Sequence, residues 1–308
     1  MSKSCSPGKL IRYFSKIFTT VNKPLWIFGV YFEFRYQRVF LIHLKGFFSP
    51  LKVFLFFVIG LTLTSSVAPN QITPVFKPGE EIRYRVHYGF LNAGHATMRV
   101  TDKYYMVNNR VCFRAEITGN SSGAVDAMYR IRNTWGCYFD TINYQPQKAF
   151  RSIAENKYRK REETYFDYAR NVASIRAEND TPETVKITQR IQDMVGGYYF
   201  LRLLSYENRR IGDTIRIPAI FESETYDFKI LYLGKQKIKT KKGRINSFML
   251  SPVMPDNKLF SGKHPIKMWI SDDLNRIPLK VEAEMLVGSV DLDIEEFSNL
   301  KYPIYFEK

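Results

Sequence analysis

The chain has 308 residues, 46 basic against 30 acidic, and is 45% hydrophobic and 15% aromatic. That much apolar material beside an average share of charge excludes a disordered or collagen-like chain and suits one large domain or two small ones. The charge is uneven: residues 1–68 hold nine basic side chains and the single acid Glu33, so about half of the formal net charge of +16 sits in this short N-terminal part.

Residues 1–50 read as a basic, aromatic N-terminal extension. The segment that follows, residues 51–68, places Lys52 ahead of an uncharged apolar run from Val53 to Leu63. Eleven residues are too few to span a bilayer, which takes about 20. Ser66 and Ala68 stand at the spacing that precedes a signal-peptidase cut. Pro69 would then be the new N-terminus, which makes cleavage after Ser66 a rival. The expectation is a signal peptide at 51–68 and an exported, periplasmic or envelope-associated protein. The alternative is an inner-membrane anchor through residues 51–68. No cysteine follows the run, so a lipoprotein anchor is not expected. An export signal normally starts near the initiator, yet Met1 is the only methionine before Met98. Residues 1 to about 43 of this extension are therefore read as the product of a start placed too far upstream, the true one falling at a codon such as Val39, Leu41 or Leu44. The rival is a cytoplasmic extension that touches anionic lipid through Leu25–Phe32.

Residues 69–308 read as a single all-β domain. From Glu81, Ile82, Tyr84, Val86, Tyr88 and Phe90 alternate with Arg83, Arg85, His87 and Gly89, the period of a half-buried strand. Asn92-Ala93-Gly94 suggests a turn or bulge into a second strand. Asn108-Asn109 between Tyr104–Val107 and Val111–Ile117 is a hairpin signal. Further runs lie at 128–139, 148–153, 162–167, 172–176 and 185–191, and a second series at 214–221, 224–233, 236–240, 244–254, 266–271, 279–286 and 288–295. Between the two groups, Asp193–Tyr206 breaks the period: Met194, Tyr198 and Leu201 recur at helical spacing behind Asp193 as N-cap. The expected fold is a large curved antiparallel sheet, barrel-like, with one short helix between two strand groups and an apolar, aromatic concave face.

Several of these segments, as a set and in this order, carry a resemblance. Phe76–Tyr84 with Tyr88–Ala96, Tyr144-Gln145-Pro146, Phe166-Asp167, the helix from Asp193 to Arg202, and Trp269–Asp273 with Ile277-Pro278 and Gly288 resemble the domain of unknown function 3108 family. The match spans roughly Phe76 to Phe297. It implies an exported all-β envelope protein with a barrel-like antiparallel sheet, and it supplies no catalytic residues.

The candidate sites are few. Lys235, Lys237, Lys239 and Lys241 recur at period two, so a strand there presents four ammonium groups on one face, joined by Lys242 and Arg244 near a Lys242-Gly243 turn. They are the expected binding residues for an anionic ligand, either lipid headgroups at a membrane surface or acidic envelope polysaccharide; a solvated edge face is the bland alternative. Lys157–Arg161 is a second basic cluster. Export argues against nucleic acid despite the charge. Cys112 and Cys137 lie in expected strands, and a disulfide or two buried free thiols both remain open. His87 and His95 lack metal-ligand spacing, so no metal or other cofactor is expected. Asp272-Asp273 fits a turn better than a catalytic pair. Ser121-Ser122-Gly123 is not a nucleophile elbow, and no helix is expected after it. No catalytic residue is assigned. The expected role is a non-catalytic binding or structural module for a lipid, acidic glycan or other envelope component, with an enzyme acting on envelope glycan or lipid as the alternative.

Overall fold

The computed structural model describes residues 73–178, 180–253, 264–285 and 288–308. The expectations for residues 1–50 and 51–68 lie outside them. The described residues carry fifteen strands in one antiparallel sheet, ordered β10-β11-β12-β13-β14-β15-β1-β2-β4-β5-β6-β7-β8-β9, with β3 paired to β4 alone. The first strands are β1 (Glu81–Tyr88), β2 (Leu91–Val100), β3 (Tyr105–Val107) and β4 (Arg110–Ser121). A helix, α1 (Gly123–Met128), precedes β5 (Arg132–Asp140), β6 (Pro146–Glu155), β7 (Tyr158–Asp167), β8 (Val172–Ala177) and β9 (Glu183–Lys186). The second helix, α2 (Met194–Leu203), is followed by β10 (Thr214–Phe221), β11 (Glu224–Thr240), β12 (Gly243–Pro252), β13 (Ile266–Ser271), β14 (Pro278–Glu284) and β15 (Ser289–Ser298). The pairing of β15 with β1 joins the two ends of the domain, β2 pairs with β4 past β3, and the other pairings are between sequential neighbours.

The sheet does not close. Its edge strands are β9 and β10, and Gln192, in the segment between β9 and α2, makes a parallel bridge to Ala219 of β10. Gln192 N–H donates to the Pro218 carbonyl at 2.8 Å and its own carbonyl accepts from Ile220 N–H at 2.9 Å. The proline in β10 removes an edge donor, as an exposed edge tolerates.

Helix α2 starts where expected: Asp193 is the N-cap, and its Oδ1 accepts from Gly196 N–H at 2.7 Å. The helix packs on the inner face rather than leaving a groove there. Val195 and Tyr199 join Ile82, Tyr84, Phe113, Ala115, Cys137 and Phe139 in the main core. Leu201 joins Tyr206, Ile230, Phe248 and Ile270 in a second cluster. Phe76 centres the main core, with ring centroids 5.0–6.2 Å from Phe113, Phe139, Tyr144 and Tyr199 in edge-on geometry. Such pairs each add about 0.5–1.5 kcal/mol beyond area burial.

A buried ion pair ties the helix to both ends of the domain. Arg202 Nη1 and Nη2 lie 2.5 and 3.0 Å from the Glu80 carboxylate, and Nε and Nη2 donate to the Asn275 carbonyl at 3.2 and 3.0 Å. Both side chains are essentially sealed from water, with the guanidinium over the rings of Phe76 and Tyr199.

Other departures from expectation have local causes. The expected strand from residue 128 starts at Arg132, because α1 occupies 123–128; the single expected helix thus becomes two, and a short helix does follow Gly123. The runs at 224–233 and 236–240 fuse into β11, whose register shifts between Tyr232 and Gly234. A bulge keeps a strand continuous while absorbing the extra residue. Of the turn or bulge expected at Asn92-Ala93-Gly94 the bulge forms, as a register shift within β2, and the turn falls at Gly89-Phe90. The Asn108-Asn109 hairpin forms as expected, with both residues at positive φ, 51° and 57°. Asparagine tolerates that region at low cost.

Candidate functional site

The lysine face forms, and much of it is already partnered. Lys235, Lys237 and Lys239 are exposed on β11, with Lys239 directly opposite Arg244 of β12. Lys235 Nζ donates to Asp272 at 2.8 Å and Lys237 Nζ to Glu307 at 2.8 Å. Lys241 lies 3.8 Å from Glu295, and Lys242 stands over the Phe297 ring. The two-residue loop closing this hairpin is Lys241-Lys242. Glu295 also pairs with Arg85 and lies 3.4 Å from His95 Nδ1, so this acid is shared by two cations and faces a neutral-leaning imidazole.

Cys112 and Cys137 are buried and free. Register explains it: Cys137 faces Ala115 and Cys112 faces Asp140, three positions apart on β4, so the two side chains leave opposite faces of the sheet. No disulfide can join them across the backbone. Burial pushes the Cys112 thiol up to about 11, and burial, with Asp193 beside it, raises the Cys137 thiol well above its ordinary value.

His87 and His95 turn to separate carboxylates, Asp293 and Glu295. Burial, then Arg85, lowers the His95 pKa. Asp273 Oδ1 accepts from Asn275 N–H at 2.9 Å and Arg276 N–H at 3.0 Å, so this acid builds a turn, while its neighbour holds Lys235. Ser121 Oγ donates to Asp126 and accepts from Ile131 N–H, which makes the hydroxyl a clasp for α1 and not a free nucleophile.

Two constellations were not visible in the sequence. One is interior. Arg151 of β6 reaches Glu162 of β7 at 2.8 Å and Glu222 of the β10–β11 turn at 3.0 Å, beside a cavity of about 50 Å³ that Trp135, Asp193 and Phe221 also line. That space holds a few waters at most. Burial pushes the Asp193 carboxyl up to about 6. Its oxygens are engaged as the α2 cap and by the Cys137 thiol, and Glu162 and Glu222 are spent on Arg151. The group ties β6 to the hairpin beside the open seam and has no room for a glycan or acyl chain.

The other constellation lies outside. Cross-strand register aligns Arg114, Tyr138, Lys148 and Tyr165 in one row over β4 to β7. Arg114 stands 5.5 Å from the Tyr138 ring and Lys148 stands 4.9 Å from that of Tyr165. Such cation–aromatic neighbours at exposed sites are each worth about 0.5–1 kcal/mol. In the neighbouring row Phe150 covers Gly136, and a Cβ at Gly136 would collide with that ring.

Where this row meets the end of the sheet, a hollow of about 580 Å³ opens. Asn108 comes from the β3–β4 turn and Arg110 from the start of β4, Gln147 from β6, Tyr165 and Asp167 from β7, Tyr168 and Arg170 from the β7–β8 turn, and Ser174 and Arg176 from β8. Asn108 Nδ2 donates to the Phe166 carbonyl at 3.1 Å and to Gln147 Oε1 at 3.2 Å, which fixes the two turns against each other. The Tyr168 ring stacks on Phe166 at 6.2 Å and its hydroxyl donates to the Pro146 carbonyl. Arg176 lies 5.2 Å over Tyr165, and Arg110 and Arg170 are exposed at the rim. Asp167 accepts from the Arg170 backbone and guanidinium, which hold its carboxyl below the usual range. A carboxylate so held does not serve as a proton donor. Three guanidinium groups, one of them paired with the Asp167 carboxylate, two aromatic rings and amide and hydroxyl groups thus share one concavity, in which Arg110 and Arg176 are the cations left for an anionic ligand with apolar ring faces.

Fold and surface together define an all-β, barrel-like domain with helix α2 packed on its inner face and a concavity on its outer face. The chain belongs to the family described as protein of unknown function DUF3108, whose model matches residues 83–295. The fold is similar to that of the crystal structure of a β-barrel-like protein of domain of unknown function DUF1849 from Brucella abortus. That likeness has a TM-score of 0.50 and 8% identity, and covers 73% of this chain and 99% of the other. A Bacteroides fragilis protein with a YmcC-like fold aligns over 73% of this chain and 100% of its own, at 10% identity and a TM-score of 0.32. Among proteins of curated function, none matches.

Proposed function

We infer that this chain is a non-catalytic binding module of the cell envelope that holds an anionic, polyhydroxylated ligand in the outer hollow. The observation that carries the reading is that Arg110, Arg170 and Arg176 line one hollow with Tyr165 and Tyr168, Arg176 standing over the Tyr165 ring. Guanidinium groups recognise carboxylate and phosphate through two parallel hydrogen bonds, and aromatic rings take the apolar faces of sugars. An address outside the cytoplasm is supported by Lys52 and the apolar run Val53–Leu63 followed by Ser66 and Ala68. The enzyme alternative has its carboxylates in the interior cavity, where a few waters fill the space, and is therefore the weaker reading.

The test is calorimetric titration of the protein with a galacturonate oligomer. Wild type should bind, and the affinity should fall as salt rises. Arg110→Gln with Arg176→Gln should weaken it at least tenfold, because each lost charged hydrogen bond is worth about 1.5–3 kcal/mol. Equal affinity in the double variant would overturn the assignment.

A further inference from the structure

The end of the sheet that carries the hollow also exposes apolar side chains. Met106 and Val111 lie directly opposite each other on β3 and β4, 67% and 47% exposed. Thr141 N–H donates to the Val111 carbonyl at 3.0 Å, which brings the β5–β6 turn and Ile142, 62% exposed, beside them. Tyr104, half exposed, packs its ring 5.2 Å from Phe113, two residues along β4 from Val111. Scattered single apolar residues are ordinary on a protein surface, but four joined by register and ring contact mark a contact surface.

Two further observations choose the occupant. The first is charge. The turn between Met106 and Val111 is the one that supplies Asn108 and Arg110 to the hollow, and exposed Lys103 flanks Tyr104 on the other side. The apolar lip is therefore bordered by cations, the pattern of a surface that meets anionic headgroups with its apolar residues just below them. The second is the path of the chain. Phe76 lies 5.4 Å from Phe113, so residues 73–76 approach this same end. Where residues 51–68 remain as an anchor, Thr73 stands ten residues after Leu63, a reach of at most about 36 Å from the end of the apolar run.

We propose that this end of the sheet docks on an anionic membrane surface. Met106, Val111 and Ile142 sink into the interfacial layer, Tyr104 lies at its boundary, and Arg110 with the hollow takes the phosphate of a lipid headgroup. The headgroup role rests on the reading of the hollow as an anion site; the lip is an independent observation.

The experiment uses the chain as isolated from its envelope, bound to or reconstituted on phosphatidylglycerol or phosphatidylcholine vesicles carrying brominated acyl chains. An indole is introduced by Ile142→Trp and, as a control at the opposite end of the sheet, by Phe90→Trp, with wild-type emission subtracted. On phosphatidylglycerol the indole at 142 should be quenched at least twofold more than the one at 90. Adding Arg110→Gln should reduce that quenching, and phosphatidylcholine should give little. Equal quenching at the two positions, or none at 142, overturns the proposal. So does self-association in free solution that Met106→Asp abolishes in a chain whose residue 142 never meets lipid, since a second copy would then be the occupant. Retained galacturonate binding beside an unquenched residue 142 sinks the membrane proposal alone. Loss of both readouts sinks the anion site as well.

Discussion

Removing the carboxylate of Glu80 strands a guanidinium in the core. Arg202 is sealed from solvent, donates two bonds to Glu80 and two to the Asn275 carbonyl, and has aromatic rings on either flank. In Glu80→Ala the Asn275 carbonyl is the only acceptor left to it. Breaking one side of a buried pair costs about 3–5 kcal/mol, because an uncompensated charge stays behind. For a domain of this size that corresponds to a fall of roughly 6–20 °C in melting temperature. Arg202→Met on top of Glu80→Ala removes the orphaned charge and fills much of the volume. The double variant should therefore be less destabilised than the two single losses added together, with the Asn275 carbonyl accounting for about 1–3 kcal/mol of what remains. Urea unfolding followed by far-ultraviolet circular dichroism measures all three. A cost below about 1 kcal/mol for Glu80→Ala, or strict additivity in the double variant, would refute the claim that this pair anchors α2.

The other predictions use different levers. Asp193 keeps its proton in the folded protein up to about 6, while the unfolded chain loses it near the ordinary carboxylate value of about 4. Its contribution to stability therefore falls as pH rises from about 4 to 6, by the order of 2–3 kcal/mol. Asp193→Asn, which keeps a capping side chain, should flatten that window in urea melts and be at least as stable as wild type at neutral pH; an unchanged pH slope refutes this. Glu222 and Ser223 both sit at positive φ in a two-residue hairpin loop, so Ser223→Gly should stabilise by about 0.5–1 kcal/mol in thermal melts, whereas Glu222→Gln should destabilise through Arg151. Thiol titration of the native protein should find Cys112 and Cys137 unreactive, and titration in denaturant without reductant should find both; a missing pair would show a disulfide. Changing Lys235, Lys237, Lys239 and Lys241 together to Gln should leave the fold intact, since exposed ion pairs contribute about 0–1 kcal/mol each. It should weaken binding to anionic vesicles less than Arg110→Gln with Arg176→Gln does, because three of those lysines already face carboxylates; a larger loss would move the anion site to β11.

Local pattern carried much of this architecture. Alternation from Ile82 to Tyr88 marked a strand, Asn108-Asn109 marked a two-residue hairpin that needs positive φ twice, and Asp193 marked a helix start, because each depends only on neighbours along the chain. The period-two lysines likewise declared their shared face. What no local rule contains is which strands lie side by side. The row Arg114, Tyr138, Lys148 and Tyr165 joins residues as far as 51 positions apart, and it exists only through the registers of β4 to β7. The same is true of the carboxylates that neutralise the lysines, of the opposite faces that keep Cys112 from Cys137, and of the Glu80–Arg202 pair, 122 residues apart. Short-range chemistry selects strand, turn and cap residue by residue, whereas the hollow and its apolar lip are made by turns from separate hairpins that only the paired sheet brings to one end.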